Sequence, residues 1–282
     1  MNEHPSLTLS GAEADVALSH LGVRVSYATA NLALLAALIA AYPRVVPWES
    51  ASRIARKSQT GDAVRPRMAG EFWIQARQQG TGGTCFESNG AFFALLRVLG
   101  YDAYLTINNM AAECSVHTAI IVRFPEGPVL VDVGMPLDAP LPLDATRATV
   151  TESPFHTYNV TPVNDAHYEI SRDRHPRAYC FTLIDRPVSE ADYWAATTAD
   201  YGVDGLFLDR VIVMKVVGDR ILRFDGSSHD ESVIKAFADG RQEVFPLYTD
   251  HVRILAGEFA IDADVLRSAL IAVGYHRFWN IE

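Results

Sequence analysis

A cysteine, a histidine and an aspartate stand in that order along the middle of the chain, at Cys85, His117 and Asp132. A thiol becomes a strong nucleophile when a neighbouring imidazole takes its proton, and a carboxylate can hold that imidazole in place. These residue types predict covalent chemistry on a cysteine. The fold must bring them together, because long stretches of chain separate them.

Cys85 lies in the segment TGGTCFESN, residues 81–89. Thr84 followed three residues later by Glu87 is a capping-box pattern, which predicts Thr84 as the N-cap and Cys85 as the first helical residue. Free backbone N–H groups at a helix start favour a thiolate and the oxyanion of a tetrahedral intermediate. The alternative is a buried structural cysteine. The glycine pair before a capped helix favours the nucleophile, since it lets a substrate approach the sulfur.

His117 and Asp132 lie on two predicted strands joined by a turn rich in proline and glycine. One register pairs Arg123 with Pro128 and Ala119 with Asp132, and a tighter one places His117 directly opposite Asp132. Both put the imidazole and the carboxylate on one face, because side chains alternate along a strand. A slip of one residue would separate them, leaving an unrelated histidine and a surface aspartate.

Composition limits the classes of protein that fit. The 282 residues carry a net charge of −10 and are 49% hydrophobic, which argues against a nucleic acid or an anionic membrane as partner. Three cysteines without a CxxC pair favour free thiols and a cytoplasmic location. The first fifteen residues lack the features of a signal peptide and are expected to be disordered. The most apolar stretch, residues 27–41, is too short to span a bilayer and is predicted to be a buried helix.

The elements that must position the three residues predict an α+β fold in three parts. Residues 1–100 are expected to form a helical bundle carrying Cys85, residues 101–187 an antiparallel β-barrel carrying His117 and Asp132, and residues 188–282 an α/β lid. The predicted helices cover 14–21, 27–41, 49–57, 68–78, the segment after Cys85, 189–198 and 262–273. The predicted strands are 103–107, 118–124, 129–133, 158–162, 179–183, 211–217 and 220–224.

At these motifs the chain resembles the arylamine N-acetyltransferase family. The family pattern R-G-G-Y-C-F-E-x-N is similar to residues 81–89, a histidine at the head of a strand corresponds to His117, and V-D-V-G stands at residues 131–134. Upstream, VPWE at residues 46–49 resembles the family's I-P-F-E. The length and the order of bundle, barrel and lid agree as well, so the likeness covers most of the chain.

The resemblance implies ping-pong acyl transfer, with Cys85 as nucleophile, His117 as general base and acid, and Asp132 orienting the imidazole. It implies acetyl-CoA or a related acyl thioester as cosubstrate, a small-molecule amine as acceptor and no tightly bound cofactor. The resemblance also implies that polar residues of the motifs support the site. Two residues after Asp132 are expected to line the cleft for substrate and cosubstrate. The supporting residues are Thr84, Glu87, Asn89 and Glu49, and the cleft residues are Gly134 and Met135.

The chain departs from the family pattern next to the site. Thr81 replaces an arginine, Thr84 a tyrosine and Ser50 an asparagine, while Met135-Pro136 replaces Phe-Gly. The family arginine acts together with the upstream glutamate, so Glu49 is expected to find another donor or to change role. These departures predict that the chemistry is retained and that the specificity differs.

Two further functions stay open. One is an amide synthase that takes its acyl group from a carrier protein or from another CoA ester. The other is a transglutaminase-like or papain-like cysteine hydrolase, although the motifs have the acetyltransferase form. A metal site built on Cys114 and nearby histidines is disfavoured, since no second close ligand pair accompanies the first. A basic run, Arg172 to Arg177, could meet the phosphates of CoA or simply face solvent.

Overall fold

The computed structural model describes residues 7–24, 30–175, 177–202, 205–227 and 232–275, and it has the α+β fold predicted from the sequence. Eight α-helices lie within these ranges. No helix in them is long and apolar enough to cross a membrane. The helices are Gly11–Leu21 (α1), Leu32–Val45 (α2), Ala51–Thr60 (α3), Ala69–Gln79 (α4), Cys85–Val98 (α5), Glu190–Ala199 (α6), His251–Phe259 (α7) and Ala263–Ala272 (α8).

Helix α5 is the centre of the N-terminal core. Its residues from Cys85 to Leu96 are all buried, so no side of this stretch faces solvent. A helix with this pattern must be covered by neighbours on every side, and α1, α4 and strands of the barrel supply them. Phe92 and Leu95, both 0% exposed, are among its core residues. The helix that begins at the candidate nucleophile is therefore a fixed part of the core.

The middle of the chain forms a nearly closed antiparallel barrel of eight strands. The strands are Ala103–Met110 (β2), Glu113–Phe124 (β3), Gly127–Val131 (β4), Leu141–Pro142 (β5), Thr149–Glu152 (β6), Thr157–Asn164 (β7), His167–Arg172 (β8) and Tyr179–Ile184 (β9). Their order is β5-β4-β3-β2-β9-β8-β7-β6. The end strands β5 and β6 lie side by side, and the Thr149 hydroxyl donates to the Pro142 carbonyl at 2.6 Å.

The β3–β4 hairpin has the first of the two predicted registers, since Arg123 pairs with Pro128 and Ile120 with Val131. Asp132 follows the last paired residue of β4. The register therefore places Asp132 on the His117 side of the hairpin, diagonal to His117. The expectation that both side chains share a face is confirmed.

The second sheet combines a short N-terminal strand with the C-terminal segment. Its order is β1-β10-β11-β12-β13, and Trp48 pairs with Met214. Helices α3, α7 and α8 pack on this sheet, so that Ile54 of α3 shares a core with Phe224 of β11. The strands are Trp48–Glu49 (β1), Val211–Val217 (β10), Arg220–Gly226 (β11), Val233–Ala238 (β12) and Arg241–Pro246 (β13). The division into three domains stays a prediction.

Several predicted boundaries were wrong. Residues 7–15 of the expected disordered lead are structured, since Leu7 and Leu9 are buried and Ser10 caps α1 in a capping box with Glu13; residues 1–6 of that prediction lie outside the described residues. Helix α3 starts after Glu49, which belongs to β1. Part of the predicted helix 27–41 lies outside the described residues, and α2 continues through Pro43. The sequence did not predict α7, β1, β5, β6, β8, β12 or β13.

Candidate active site

Cys85 is the first residue of α5 and is 7% exposed. Thr84 is its N-cap, as predicted, but the expected capping box is wrong. Among the described residues, the Thr84 side chain makes no capping hydrogen bond; its hydroxyl accepts from Arg53 Nη1 at 2.9 Å. Glu87 is likewise engaged elsewhere, by Arg67. Arginine side chains from outside the helix thus hold the polar side chains of its first turn, and the backbone N–H groups still point toward the thiol end.

The imidazole of His117 interacts with both the Asp132 carboxylate and Cys85, whose thiol donates to the Val116 carbonyl at 3.8 Å. His117 Nε2 lies 2.6 Å from Asp132 Oδ2, and both side chains are buried. Burial lowers the pKa of His117, but the charge and hydrogen bond of Asp132 outweigh it, with a further contribution from Cys85, so the pKa lies well above its usual range. Because Asp132 occupies Nε2, Nδ1 is the nitrogen that remains for Cys85. An imidazolium beside a thiol can stabilise a thiolate and later protonate a leaving group.

Asn89 ties the helix of Cys85 to the strands of the other two residues. Its amide donates to Asp132 Oδ1 at 2.9 Å and to the Thr118 carbonyl at 2.8 Å, and its own carbonyl accepts from the Val133 N–H at 3.1 Å. The Met135 N–H also donates to Asp132 Oδ1, at 2.8 Å. Both carboxylate oxygens of Asp132 therefore have partners, which fixes the face it presents to His117.

Gly134 packs directly against Cys85. A Cβ at this position would lie 2.5 Å from Cys85 Cα and 2.6 Å from Asn89 Nδ2. Real Cβ atoms do not approach other atoms so closely, so only glycine fits here without moving the backbone. The residue predicted to line the cleft is thus required for the close approach of the β4 end to α5.

Glu49 accepts hydrogen bonds from donors other than the arginine of the family pattern. This fully buried carboxylate accepts from the Gly82 N–H at 3.0 Å, and from the N–H and hydroxyl of Ser52 at 2.7 and 2.6 Å. A guanidinium still reaches position 81, but it comes from Arg67, whose Nη1 lies 3.4 Å from the Thr81 hydroxyl. Arg67 Nη2 also donates to the Gly82 carbonyl.

Glu87 joins two arginines under the first turn of α5. Its carboxylate lies 2.7 Å from Arg67 Nη2 and 3.0 Å from Arg56 Nη2, and it accepts from the Arg67 N–H at 2.7 Å. Burial raises the pKa of Glu87, but the two guanidinium charges outweigh burial and hold it well below its usual range. Glu87 is therefore ionised at neutral pH and acts as an anchor for the helix.

The remaining departures from the family pattern are Ser50 and Met135-Pro136. Ser50 lies at a contact with the second sheet, and Met135-Pro136 lies on a cavity. The Ser50 hydroxyl donates to the Arg210 carbonyl at 2.7 Å, so this residue joins α3 to β10. Met135 is half-buried and shares a cavity with Trp48 and with residues of the barrel and the second sheet. The cavity is lined by Pro43, Trp48, Met135, Pro136, Asp138, Phe155, His156, Tyr158, Arg172, Met214, Lys215, Val216 and Ile221.

Sequence reasoning missed several residues around the site. Phe181 lies against His117, with ring centroids 4.5 Å apart, and the Tyr193 hydroxyl donates to the Phe86 carbonyl at 2.7 Å. Both sit in ordinary apolar patterns that carry no functional signal. Arg53 and Arg67 were missed because arginine is usually exposed; only the loss of the family arginine at position 81 could have prompted a search for a substitute.

The fold is that of the arylamine N-acetyltransferases. The enzyme from Mycobacterium marinum superposes with a TM-score of 0.77 at 19% identity, over 92% of this chain and 98% of that one. The Salmonella typhimurium enzyme gives 0.75 at 16% identity, over 94% and 100%. The M. marinum enzyme in complex with CoA gives 0.73 at 18% identity, over 91% and 96%.

A family model described as N-acetyltransferase matches residues 31–262. The chain therefore belongs to the arylamine N-acetyltransferase family and is an acyltransferase. No curated protein sequence matches it significantly.

Proposed function

We propose that this enzyme moves an acetyl or related acyl group from an acyl-CoA thioester through Cys85 to a small amine, by a ping-pong mechanism. Cys85 is the nucleophile, His117 the general base and acid, and Asp132 the group that orients and charges the imidazole. The observation that carries the proposal is the position of His117, which lies 2.6 Å from Asp132 and interacts with Cys85, the first residue of a buried helix.

Each half of the reaction follows from this arrangement. The Cys85 thiolate adds to the thioester carbonyl, and the CoA thiolate leaves with the proton that His117 held. The acceptor amine then adds to the acyl-cysteine and gives its proton to His117, and the Cys85 thiolate leaves. The first half of the reaction converts one thioester into another, so the loading of Cys85 needs no large driving force. Backbone N–H groups at the start of α5 can stabilise the oxyanion in both halves.

The structural relatives support CoA as the carrier of the acyl group. One of them, the M. marinum enzyme, is known in complex with CoA. The altered Met135-Pro136 segment keeps a different acyl chain open, including one delivered on a carrier protein. Three free cysteines in the described residues support a cytoplasmic location.

The test is the intact mass of the protein after mixing with acetyl-CoA. We expect a gain of one acetyl group, its absence in Cys85→Ala, and its discharge by an added aromatic amine. Cys114→Ala is the matched control, because Cys114 is an exposed free thiol on β3, and it should load normally. Loading by longer acyl thioesters but not by acetyl-CoA would move the proposal to an amide synthase.

His117→Ala tests the choice of base. We expect it to abolish loading at neutral pH, since the thiol then has no partner to take its proton. Normal loading in this variant would contradict the assignment of His117. Peptide cleavage, or release of ammonia from glutamine peptides, would contradict acyl transfer to an amine and indicate a hydrolase.

A further inference from the structure

Helix α5 begins without the side-chain cap that its sequence offers. Thr84 has the extended backbone of an N-cap, with φ −79° and ψ −178°, and threonine is a favoured capping residue. Within the described part of the chain, however, its side chain makes no capping hydrogen bond. The first hydrogen bond of the helix runs from the Ser88 N–H to the Thr84 carbonyl, at 3.1 Å. The N–H groups of residues 85–87 therefore have no partner within the helix.

A buried arginine of α3 takes up the Thr84 hydroxyl instead. Arg53 is 1% exposed, and its Nη1 donates to the Thr84 hydroxyl oxygen at 2.9 Å. The residues that follow α6 fix this guanidinium: Nη1 lies 2.7 Å from Asp200 Oδ2, and Nη2 donates to the Asp200 carbonyl. The guanidinium carbon also lies 4.4 Å from the centre of the Tyr201 ring. Asp200 and Tyr201 thus hold Arg53, and Arg53 sets the direction of the Thr84 hydroxyl.

That direction matters for the N–H groups at the start of α5. A threonine cap accepts from the N–H of the second or third helical residue, which are Phe86 and Glu87 here. N–H groups of the same first turn are the donors available to the oxyanion during the acylation of Cys85. If Thr84 capped the helix, the oxyanion would have to compete with its hydroxyl for them. The contact with Arg53 removes the competitor.

The arrangement answers a departure from the family pattern. The family has a tyrosine directly before the cysteine, whereas this chain has Thr84. Tyrosine is not among the residues that cap helices, and threonine is. The substitution therefore places a capping side chain beside the candidate nucleophile, and Arg53 is the residue that keeps it occupied.

We propose that Arg53, held by Asp200, is a positioning residue for the acylation of Cys85. It keeps the Thr84 hydroxyl away from the first N–H groups of α5 and leaves them to the oxyanion. The inference rests on the proposed function, since it concerns the tetrahedral intermediate of that reaction. Arg53 acts through Thr84 and does not itself touch the reacting atoms.

A pair of variants separates this role from simple support of the fold. Arg53→Met frees the Thr84 hydroxyl to cap, so acylation of Cys85 by acetyl-CoA should slow about tenfold, the rate equivalent of one capping bond. Arg53→Met/Thr84→Val lacks the same ion pair but has no hydroxyl, and it should recover most of that loss. Arg53→Met/Thr60→Val makes the same change at an exposed threonine of α3. It is the matched control and should stay slow.

Asp200→Ala gives a second route to the same comparison. It removes the carboxylate that holds Arg53 and leaves the arginine in the chain. Acylation should slow in Asp200→Ala and recover in Asp200→Ala/Thr84→Val. This pair decides the question if Arg53→Met does not fold.

Alkylation of Cys85 by iodoacetamide serves as an internal standard. The thiolate displaces iodide from a saturated carbon, so no oxyanion forms. A substitution that merely moved Cys85 would slow both reactions, whereas a capped helix start slows acylation alone. The ratio of the acylation rate to the alkylation rate should therefore fall in Arg53→Met and return in the double variant without the Thr84 hydroxyl. Equal slowing of both reactions, or no recovery in that double variant, would overturn the inference.

Crystal structures test the inference separately from the proposed function. In Arg53→Met the Thr84 hydroxyl should lie within hydrogen-bond distance of the N–H of Phe86 or Glu87, and in the wild type it should not. This result does not depend on whether acetyl-CoA loads Cys85. A hydroxyl that keeps its wild-type direction in the variant would contradict the inference. A reoriented hydroxyl in a protein whose wild type never loads would contradict the proposed function alone.

Discussion

Both oxygens of the Asp132 carboxylate are held by fixed partners. Asn89 and the Met135 N–H occupy Oδ1, and Oδ2 faces His117 at 2.6 Å. The imidazole therefore stands beside a fixed negative charge in buried surroundings, where charge interactions are strong. This is why the pKa of His117 rises although burial alone would lower it.

Asp132→Asn should reveal that interaction through the pH dependence of stability. A group whose pKa is raised in the folded state stabilises fully below its unfolded pKa, ~6.5 for histidine, and this contribution is lost as the pH rises through the folded pKa. The gap in free energy of unfolding between wild type and Asp132→Asn should be largest near about pH 6 and shrink toward about pH 10. Denaturant titrations at several pH values measure it.

Asp144→Asn is the control for this experiment. Asp144 is a surface carboxylate whose pKa its neighbours Thr146 and Arg147 lower to about 2. Its effect on stability should not depend on pH between about 6 and 10. A gap for Asp132→Asn that stays constant or widens with pH would contradict the raised pKa of His117.

Gly134→Ala should damage loading without any change of a chemical group. The added Cβ would meet Cys85 Cα and Asn89 Nδ2 inside the contact limit, so the end of β4 must move away from α5. A displacement of about 1 Å in a catalytic site can cost about 10²-fold in rate. We expect a loss of that order in the rate of Cys85 acylation, measured by quenched mass spectrometry.

Gly257→Ala serves as the comparison, because a Cβ there meets no atom of the described residues within 4 Å and the position is helical. It should leave the acylation rate unchanged and stabilise the protein slightly. If Gly134→Ala acylates at the wild-type rate, the close packing of Gly134 on Cys85 has no functional role.

At the scale of elements, the start of α5 is held by side chains from outside the helix. Thr84 and Glu87 occupy the capping-box positions, yet Arg53 engages the first and Arg67 and Arg56 the second. Local propensity placed the helix start correctly, since Thr84 is the N-cap and Cys85 the first residue. It could not show that charged partners from α3 and the segment before α4 would outcompete the local bonds.

Arg67→Met should therefore destabilise the protein and slow loading. Removing one partner of a buried ion pair leaves Glu87 uncompensated, although Arg56 remains beside it, and costs about 3–5 kcal/mol. Denaturant unfolding measures the loss. The rate of Cys85 acylation well below the melting temperature should fall as well, because Arg67 also binds the carbonyl of Gly82, three residues before Cys85.

Arg65→Met is the matched control, two residues away and of the same chemistry. Arg65 forms an exposed pair with Glu71, and its side chain is 58% exposed. Exposed pairs contribute about 0–1 kcal/mol, so stability and loading should stay near wild type. Equal effects of the two substitutions would remove any special role from Arg67.

The sequence predicted the motif residues better than the elements around them. Cys85, His117 and Asp132 could be singled out because strand alternation and a helix start are local rules, readable from a hairpin turn and a glycine pair. Strand β13 could not be predicted in the same way, since its six residues are all exposed and show no apolar alternation. The buried arginines could not be predicted from local patterns either, because the groups they bind lie far away in the sequence.

At the scale of the whole molecule, the predicted boundary after residue 187 cuts through shared structure. Strand β1 pairs with β10, and α3 packs on α8. Asp200 forms an ion pair with the buried Arg53 at 2.7 Å, and Arg53 in turn holds Thr84. The segment expected to be a lid thus supports the helix that begins at Cys85.

A chain ending at residue 187 should consequently fail to fold on its own. It would expose Ala51, Ile54 and Ala55, which the second sheet and its helices bury, and it would leave Arg53 without its carboxylate. An open core is strongly destabilising. We expect the fragment to show no cooperative thermal transition by circular dichroism and no acylation by acetyl-CoA, with the full-length chain measured in parallel. A fragment that melts cooperatively near the full-length temperature would instead establish residues 1–187 as an independent folding unit, and with it the domain division predicted from the sequence.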